Sequence, residues 1–254
     1  MTEPTPTTEE RARRSLGSSG DPIYRMVERA VRARHPGGGT LVDVGCGSGR
    51  LWPQVSAHFD RYVGVDVMRY DGFPEGGEFH ALDLDRGDVP LPDGVGDVVA
   101  GVETIEHLEN PRAFVRMLAR LARPGGWIVI TTPNQHSLLS KTRFVLRGEH
   151  AAFTESSYPA HLTALLAVDL RRMAAECGLV DIAIEYSGSG RVPSTGVHWP
   201  SPFSRAFPRA LSDNLLLAAC KPGKDRSHTE SAESTEFSRA DPRFSSCSTS
   251  PEGQ

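Results

Sequence analysis

Six consecutive residues, Glu103-Thr104-Ile105-Glu106-His107-Leu108, carry the densest reactive chemistry in the chain. On a helical turn, positions 103, 106 and 107 share one face. Two carboxylates and an imidazole would then converge on one point. Like charges held together are costly unless a proton or a cation lies between them. One solution is a divalent metal, and carboxylates favour hard ions such as Mg²⁺ or Mn²⁺. A second is His107 acting as a general base without metal. A third is structural, with Glu106 or His107 capping or bracing the end of a strand. His161, far along the chain, is a candidate fourth ligand or a substrate contact.

A second cluster is Gly45-Cys46-Gly47-Ser48-Gly49, directly after the apolar run Leu41 to Val44. Glycines there let the backbone adopt positive φ and approach a ligand closely. The same spacing also serves a plain tight turn between strand and helix. Asp66 closes the next apolar run, where a carboxylate can hydrogen-bond two ribose hydroxyls. The spacing is GxGxG rather than the GxGxxG of dinucleotide sites. Asp43, just ahead of the loop, would repel a phosphate and suit a cationic, amine-bearing ligand.

These segments resemble the class I S-adenosylmethionine-dependent methyltransferases over about residues 40 to 186. The motifs in order are Val42 to Gly49, Gly64-Val65-Asp66, Leu82-Asp83-Leu84, Asp97 to Glu103, and Arg123-Pro124-Gly125-Gly126 before a strand. The resemblance implies that S-adenosylmethionine lies against Asp43, Gly45, Cys46, Gly47 and Gly49, with Asp66 and the adjoining Val67 at the ribose. It places Asp83 and the Leu84 backbone at the adenine, and Glu103 at the far end of the site. Two groups within the family are similar in the Glu-x-x-Glu-His turn. Ubiquinone-biosynthesis O-methyltransferases carry such a turn, and small-RNA 3′-terminal 2′-O-methyltransferases add a distant histidine. Glu103, Glu106, His107 and His161 match the second arrangement by residue type, and both groups methylate one oxygen of a vicinal hydroxyl pair.

The elements that must hold these residues alternate strand and helix, which implies a parallel sheet covered on both faces. Strands are expected at 41–44, 62–65, 78–82, 97–102 and 127–131, with 179–186 and 215–220 as a final antiparallel pair. Helices are expected from Asp21-Pro22, over Leu51 to His58, after Asn110-Pro111, over Ser137 to Leu146, and from Asp169. The resemblance implies the fold class α/β, a Rossmann-like seven-stranded, mostly parallel sheet with an antiparallel last strand, in agreement with these expected strands. Residues 1–20 read as a disordered leader, 21–222 as the methyltransferase domain, and 223–254 as a disordered Ser-rich tail. An insertion at about 135–167 is expected to cover the acceptor pocket. In its helix Leu138, Leu139, Val145 and Leu146 point inward, and Lys141, Arg143 and Arg147 lie on a solvated face.

Composition narrows the partners. The chain has 254 residues, 28 basic and 32 acidic side chains and a formal net charge of -4, so nothing attracts nucleic acid or an anionic membrane in general. Arg112, Arg116, Arg120 and Arg123 recur along one helix face and read as a solvated surface. Cys46, Cys177, Cys220 and Cys247 are far apart, which implies neither a zinc site nor a disulfide framework. With no apolar run of membrane-spanning length, a cytoplasmic location is expected. The reading is methyl transfer from S-adenosylmethionine to a hydroxyl oxygen of a small molecule, with Mg²⁺ or Mn²⁺ as the candidate metal. The alternatives are an RNA 3′ end as acceptor, or a non-catalytic S-adenosylmethionine-binding protein.

Overall fold

A computed structural model describes residues 8–14 and 17–223. The Val- and Leu-rich strands β1 (Thr40–Val44), β2 (Arg61–Asp66) and β4 (Gly96–Val102) are buried along nearly their whole length. Strands covered on both faces need such continuous apolar runs. With β3 (Glu78–Ala81), β5 (Ala122–Pro133), β6 (Val180–Tyr186) and β7 (Asn214–Cys220) they form one seven-stranded sheet in the order β3-β2-β1-β4-β5-β7-β6. β1 pairs in parallel with β2 and with β4, and β7 runs antiparallel to β5 and β6. From β1 the chain moves outward to β2 and β3, then returns across β1 to β4. The carboxyl ends of β1 and β4 therefore flank the point where strand order reverses, which is where sheets of this kind open a crevice for ligands.

Two apolar layers hold helices to the sheet. On one face α2 (Asp21–Arg34) buries Met26, Val27, Ala30 and Val31 among Leu41, Val98, Val129 and Leu216. On the other, α4 (Pro111–Leu121) and α6 (Ala167–Glu176) bring Phe114, Leu118, Leu170 and Met173 onto Val42, Val99, Ile128 and Leu217. Phe114 needs the bare backbone of Gly101, since a Cβ there would lie 2.7 Å from its ring. Truncating a ring buried this way costs about 3–5 kcal/mol. Asn110 caps α4, its side chain accepting from Ala113 N, and Asp169 accepts from Leu166 N to open α6.

Several expectations change. Part of the expected leader is ordered: Thr8–Arg14 forms helix α1, and polar contacts rather than apolar burial hold it to the domain. Asp21 is the first residue of α2, whose N-cap is Gly20. The helix after Leu51 is short, α3 (Trp52–Val55) followed by a 3₁₀ turn over 56–58. Pro124-Gly125-Gly126 lies inside β5, because Gly96 of β4 pairs as far back as Ala122. Short helices α7 (Ser201–Ala206) and α8 (Pro208–Leu211), not foreseen, separate β6 from β7.

The insertion helix α5 (Leu138–Arg147) turns the other way from expectation. Leu138 and Phe144 are exposed, as are Val145 and Leu146, at 81% and 72%. Its buried residue is Ser140, whose hydroxyl donates to Gln135 Oε1, meets His150 Nδ1 and accepts from Ala151 N. A polar anchor selects the buried face, where periodicity alone pointed to leucine. Of the arginines expected on one solvated helix face, Arg112 of α4 pairs with Glu176 and the half-buried Arg120 with Asp88 and Asp93, whereas Arg123 lies in β5 and pairs with Asp97. The Ser-rich tail beyond residue 223 lies outside the described residues.

Candidate active site

A cleft of about 320 Å³ opens at the carboxyl ends of β1, β2 and β4. Gly45, Cys46 and Gly47 line it after β1, Asp66 and Val67 at the end of β2, and Glu103, Glu106 and His107 beyond β4. The loop glycines are needed where they stand. At Gly47 (φ +52) a Cβ would lie 2.1 Å from the carbonyl oxygen of Gly17, and at Gly45 (φ +79) it would strike Thr104 at 2.3 Å. Gly49 abuts Pro74 and supports the turn. Asp66 accepts from Gly47 N at 2.8 Å and from Val67 N at 2.7 Å, so the two strand ends are tied together through its carboxylate.

Asp43 is 1% exposed. Tyr62 donates to its Oδ2 at 2.9 Å, and its Oδ1 has no partner. Burial, with the neighbouring charge of Asp66, pushes its carboxyl up to about 7. Burial also raises Asp66. Acids without a basic partner deep in a cleft favour a cationic ligand over a phosphate.

The leader closes one wall of this cleft. Thr8 and Arg11 line it, as does Gly17, and the Gly17 carbonyl accepts from both Ser48 N and Ser48 Oγ. Arg11 pairs with Asp85 at 3.0 Å and approaches Glu109 at 3.6 Å. Tyr70 donates to Ala12 O. The carboxylate of Asp83, expected at an adenine, accepts from Thr8 Oγ1 at 2.9 Å and from Asp85 N at 3.1 Å. Leu82, Leu84 and Asp85 line the cleft there. None of the leader contacts was foreseen. Thr8 followed by Glu9 and Glu10 is a helix-start signal that could have disclosed α1.

At the other end stands the Glu-His turn, a 3₁₀ turn over Ile105–His107. Glu103 carries a positive φ of 49, a conformation costly for a side-chain-bearing residue. Thr131 Oγ1 accepts from its N–H, and Asn214 Nδ2 donates to its Oε2 at 2.7 Å. Thr132 donates to Glu106 Oε2. That leaves Glu103 Oε1 and Glu106 Oε1 buried without partners. Burial raises both carboxyls, and Glu106 raises Glu103 further. Two such groups hold a proton between them unless a cation replaces it.

Leu162 N and Thr163 N donate to the backbone carbonyl of Glu106, drawing the insertion onto the turn. The rings of His107 and His161 consequently meet edge to face, 4.8 Å apart. His107 Nδ1 lies 2.6 Å from Ala160 O, and His161 Nδ1 lies 2.5 Å from Ala152 O. A carbonyl only accepts, so each Nδ1 carries the proton. Burial lowers both imidazoles and favours the neutral form, in which each Nε2 is unprotonated. Ligand atoms of Glu106, His107 and His161 all lie within 4.8 Å of one another. Backbone carbonyls orient metal-binding histidines in the same manner. Glu103, expected as a ligand with them, is not in that group; Asn214 holds its side chain and Thr131 its N–H.

A family model described as a methyltransferase domain matches residues 18–184. A ubiquinone biosynthesis O-methyltransferase of Bordetella bronchiseptica is 32% identical over 108 residues, covering 39% of this chain and 44% of that protein. The chain thus spans less than half the length of that relative. A protein of the same name from Chromobacterium violaceum is 29% identical over 182 residues, or 63% of this chain and 72% of its own length. Among solved structures, a SAM-dependent methyltransferase from Archaeoglobus fulgidus superposes with a TM-score of 0.55 at 19% identity, covering 82% of this chain and 96% of that one. At that identity the likeness is one of fold.

Proposed function

The chain belongs to the methyltransferase-domain family, and from that premise we propose that it moves the methyl group of S-adenosylmethionine to a hydroxyl oxygen of a small molecule. The observation that carries this reading is the convergence of Glu106, His107 and His161 at the edge of the cofactor cleft. Asp43, Asp66 and the glycine loop fit the cofactor, because the unpartnered Oδ1 of Asp43 suits its ammonium group and Asp66 its ribose. When bound, the cofactor supplies an electrophilic methyl group on a sulfonium. Glu106, His107 and His161 would hold a divalent ion of the Mg²⁺ or Mn²⁺ kind, which would supply the charge that makes an acceptor hydroxyl more acidic. The orphaned Glu106 Oε1 and the two unprotonated Nε2 atoms fit that role.

The chain's own part is positioning and proton handling. The acceptor oxygen forms the new O–C bond as the C–S pair returns to sulfur, giving S-adenosylhomocysteine. The hydroxyl proton passes to a carboxylate of the cleft, a role open to Glu103 in its ionised form. In-line placement supplies much of the rate, with α1 and His161 lining the cleft.

The test is S-adenosylhomocysteine release from diol, amine and short-RNA acceptors, with Mg²⁺, with Mn²⁺ and with EDTA. Turnover on hydroxyl acceptors is expected, lost with EDTA and reduced at least 100-fold in His161→Ala, with S-adenosylhomocysteine binding unchanged. Turnover confined to amines, or indifferent to both EDTA and His161→Ala, refutes the metal–hydroxyl proposal. Binding of the cofactor with no turnover on any class would favour a non-catalytic role.

A further inference from the structure

Large apolar side chains stand exposed on two neighbouring elements. On α5 they are Phe144, Val145 and Leu146; on α7 and at its end they are Phe203 and Phe207, four positions apart. α5 packs against α8. Asn134, just ahead of α5, donates from its side chain to Arg209 O in α8 and to Ser212 O after it. β5 ends at Pro133, opposite Asn214 at the start of β7, so both helical segments lie at the end of the sheet that carries the cleft.

The same segments are free of acids. Residues 136–148 carry Lys141, Arg143 and Arg147, residues 187–212 carry Arg191, Arg205 and Arg209, and neither holds an Asp or Glu. The acids just beyond them, Glu149 and Asp213, take Arg143 and Arg191. Lys141, Arg147, Arg205 and Arg209 are exposed, with no acidic partner among the described residues. Two of the four lie near one imidazole, since the charges of Arg209 and Lys141 add to burial in lowering His136. A formal net charge of -4 for the whole chain thus conceals a local excess of cations.

We propose that the face formed by α5, α7 and α8 docks on an anionic lipid bilayer. Val145, Leu146, Phe203 and Phe207 enter the boundary of the acyl chains, and the four cations meet headgroup phosphates. Apolar side chains interleaved with Lys and Arg, at the surface of short helices, are what such a boundary binds. Among the described residues no helix is long and apolar enough to cross a membrane, and the contact is peripheral. Other occupants fit less well. A second copy docked through the same face would set the four cations against themselves. A nucleic acid would satisfy the cations, but its bases stack on flat rings, which leaves Val145 and Leu146 in water. At 81% and 72% exposed, these two stand out of the surface rather than line a recess. A fluid that closes around them suits them better than a rigid protein.

The experiment floats the full chain with phosphatidylcholine vesicles, with and without phosphatidylglycerol, at low and at high salt. Binding to the anionic vesicles is expected, at least tenfold tighter than to phosphatidylcholine alone and weakened by salt. The double variant V145E/L146E should lose at least tenfold in vesicle affinity, and so should K141E/R147E. All four positions are exposed, so the melting temperature and S-adenosylhomocysteine binding should stay at wild type. Absence of flotation with anionic vesicles at low salt overturns the inference. So does vesicle binding that V145E/L146E leaves unmoved, since the contact would then be charge alone. Tighter binding to short RNA than to vesicles, or a dimer that V145E/L146E dissociates, assigns the face to another partner and also overturns it. None of these outcomes bears on the methyl-transfer reading.

Discussion

Replacing Asp43 by Asn separates what the cofactor loop needs for folding from what it needs for binding. A carboxyl lifted from its ordinary 3.8 to about 7 in the fold stabilises the native state fully below pH 3.8. It loses that stabilisation as pH rises through about 7. The full effect corresponds to about 4 kcal/mol. Allowing relaxation and water entry to recover half, about 2 kcal/mol remains. Asn keeps an oxygen for the Tyr62 hydroxyl, which donates to Oδ2 in the wild type, and removes the charge. In the absence of ligand, Asp43→Asn should therefore match wild type near pH 4 and melt above it at pH 8, by ~4–8 °C at ~2–4 °C per kcal/mol. The difference between the two proteins is the observable, so the other raised carboxyls, Asp66, Glu103 and Glu106, cancel to first order. Binding should move the other way. If Asp43 faces the cofactor ammonium as proposed, losing its carboxylate costs about 1.5–3 kcal/mol, or roughly 10- to 150-fold in S-adenosylmethionine affinity at pH 8. Paired thermal melts from pH 4 to 9 and calorimetric titration at pH 8 measure both. A melting difference independent of pH, or a variant less stable at pH 8 that binds normally, refutes the reasoning.

Two further outcomes follow from the cleft's geometry. Asp66→Ala leaves Gly47 N and Val67 N without their acceptor and removes the carboxylate proposed to hold the ribose. Cofactor binding should weaken at least 100-fold by calorimetry, and an unchanged affinity would dismantle the pocket assignment. Arg11→Ala removes the charge-assisted bond to Asp85, worth about 1.5 kcal/mol. Stopped-flow displacement should then show S-adenosylhomocysteine leaving about tenfold faster, with faster amide exchange confined to α1; a rate equal to wild type would mean that α1 is no lid.

The parts legible beforehand were those written as local pattern. Continuous Val and Leu runs marked the buried strands. Asn110-Pro111 marked the start of α4, and glycines after one strand with an acid after the next marked the two sides of the cleft. Features that depend on which surface a segment meets were not legible. Val145 and Leu146 repeat as a buried face would, yet the hydroxyl of Ser140 found Gln135 and His150, and the helix followed it. The leader carries too little apolar surface to announce a docked helix; Thr8, Arg11 and Ala12 dock it through Asp83, Asp85 and Tyr70.

The amino-acid sequence by itself determined the sheet, the glycine loop, the strand-end acids and the residue types of the Glu-His turn, because each follows from local periodicity and spacing. The tertiary structure decided which of those residues act together. His161 stands 54 positions from His107, and bonds between the insertion and the turn, among them Leu162 and Thr163 to the Glu106 carbonyl and His107 to Ala160 O, bring their rings together. Asn214, from the last strand, binds one oxygen of Glu103 and leaves the other without a partner. Long-range hydrogen bonds of this kind leave no trace in spacing, since their partners are chosen by the packing of the sheet.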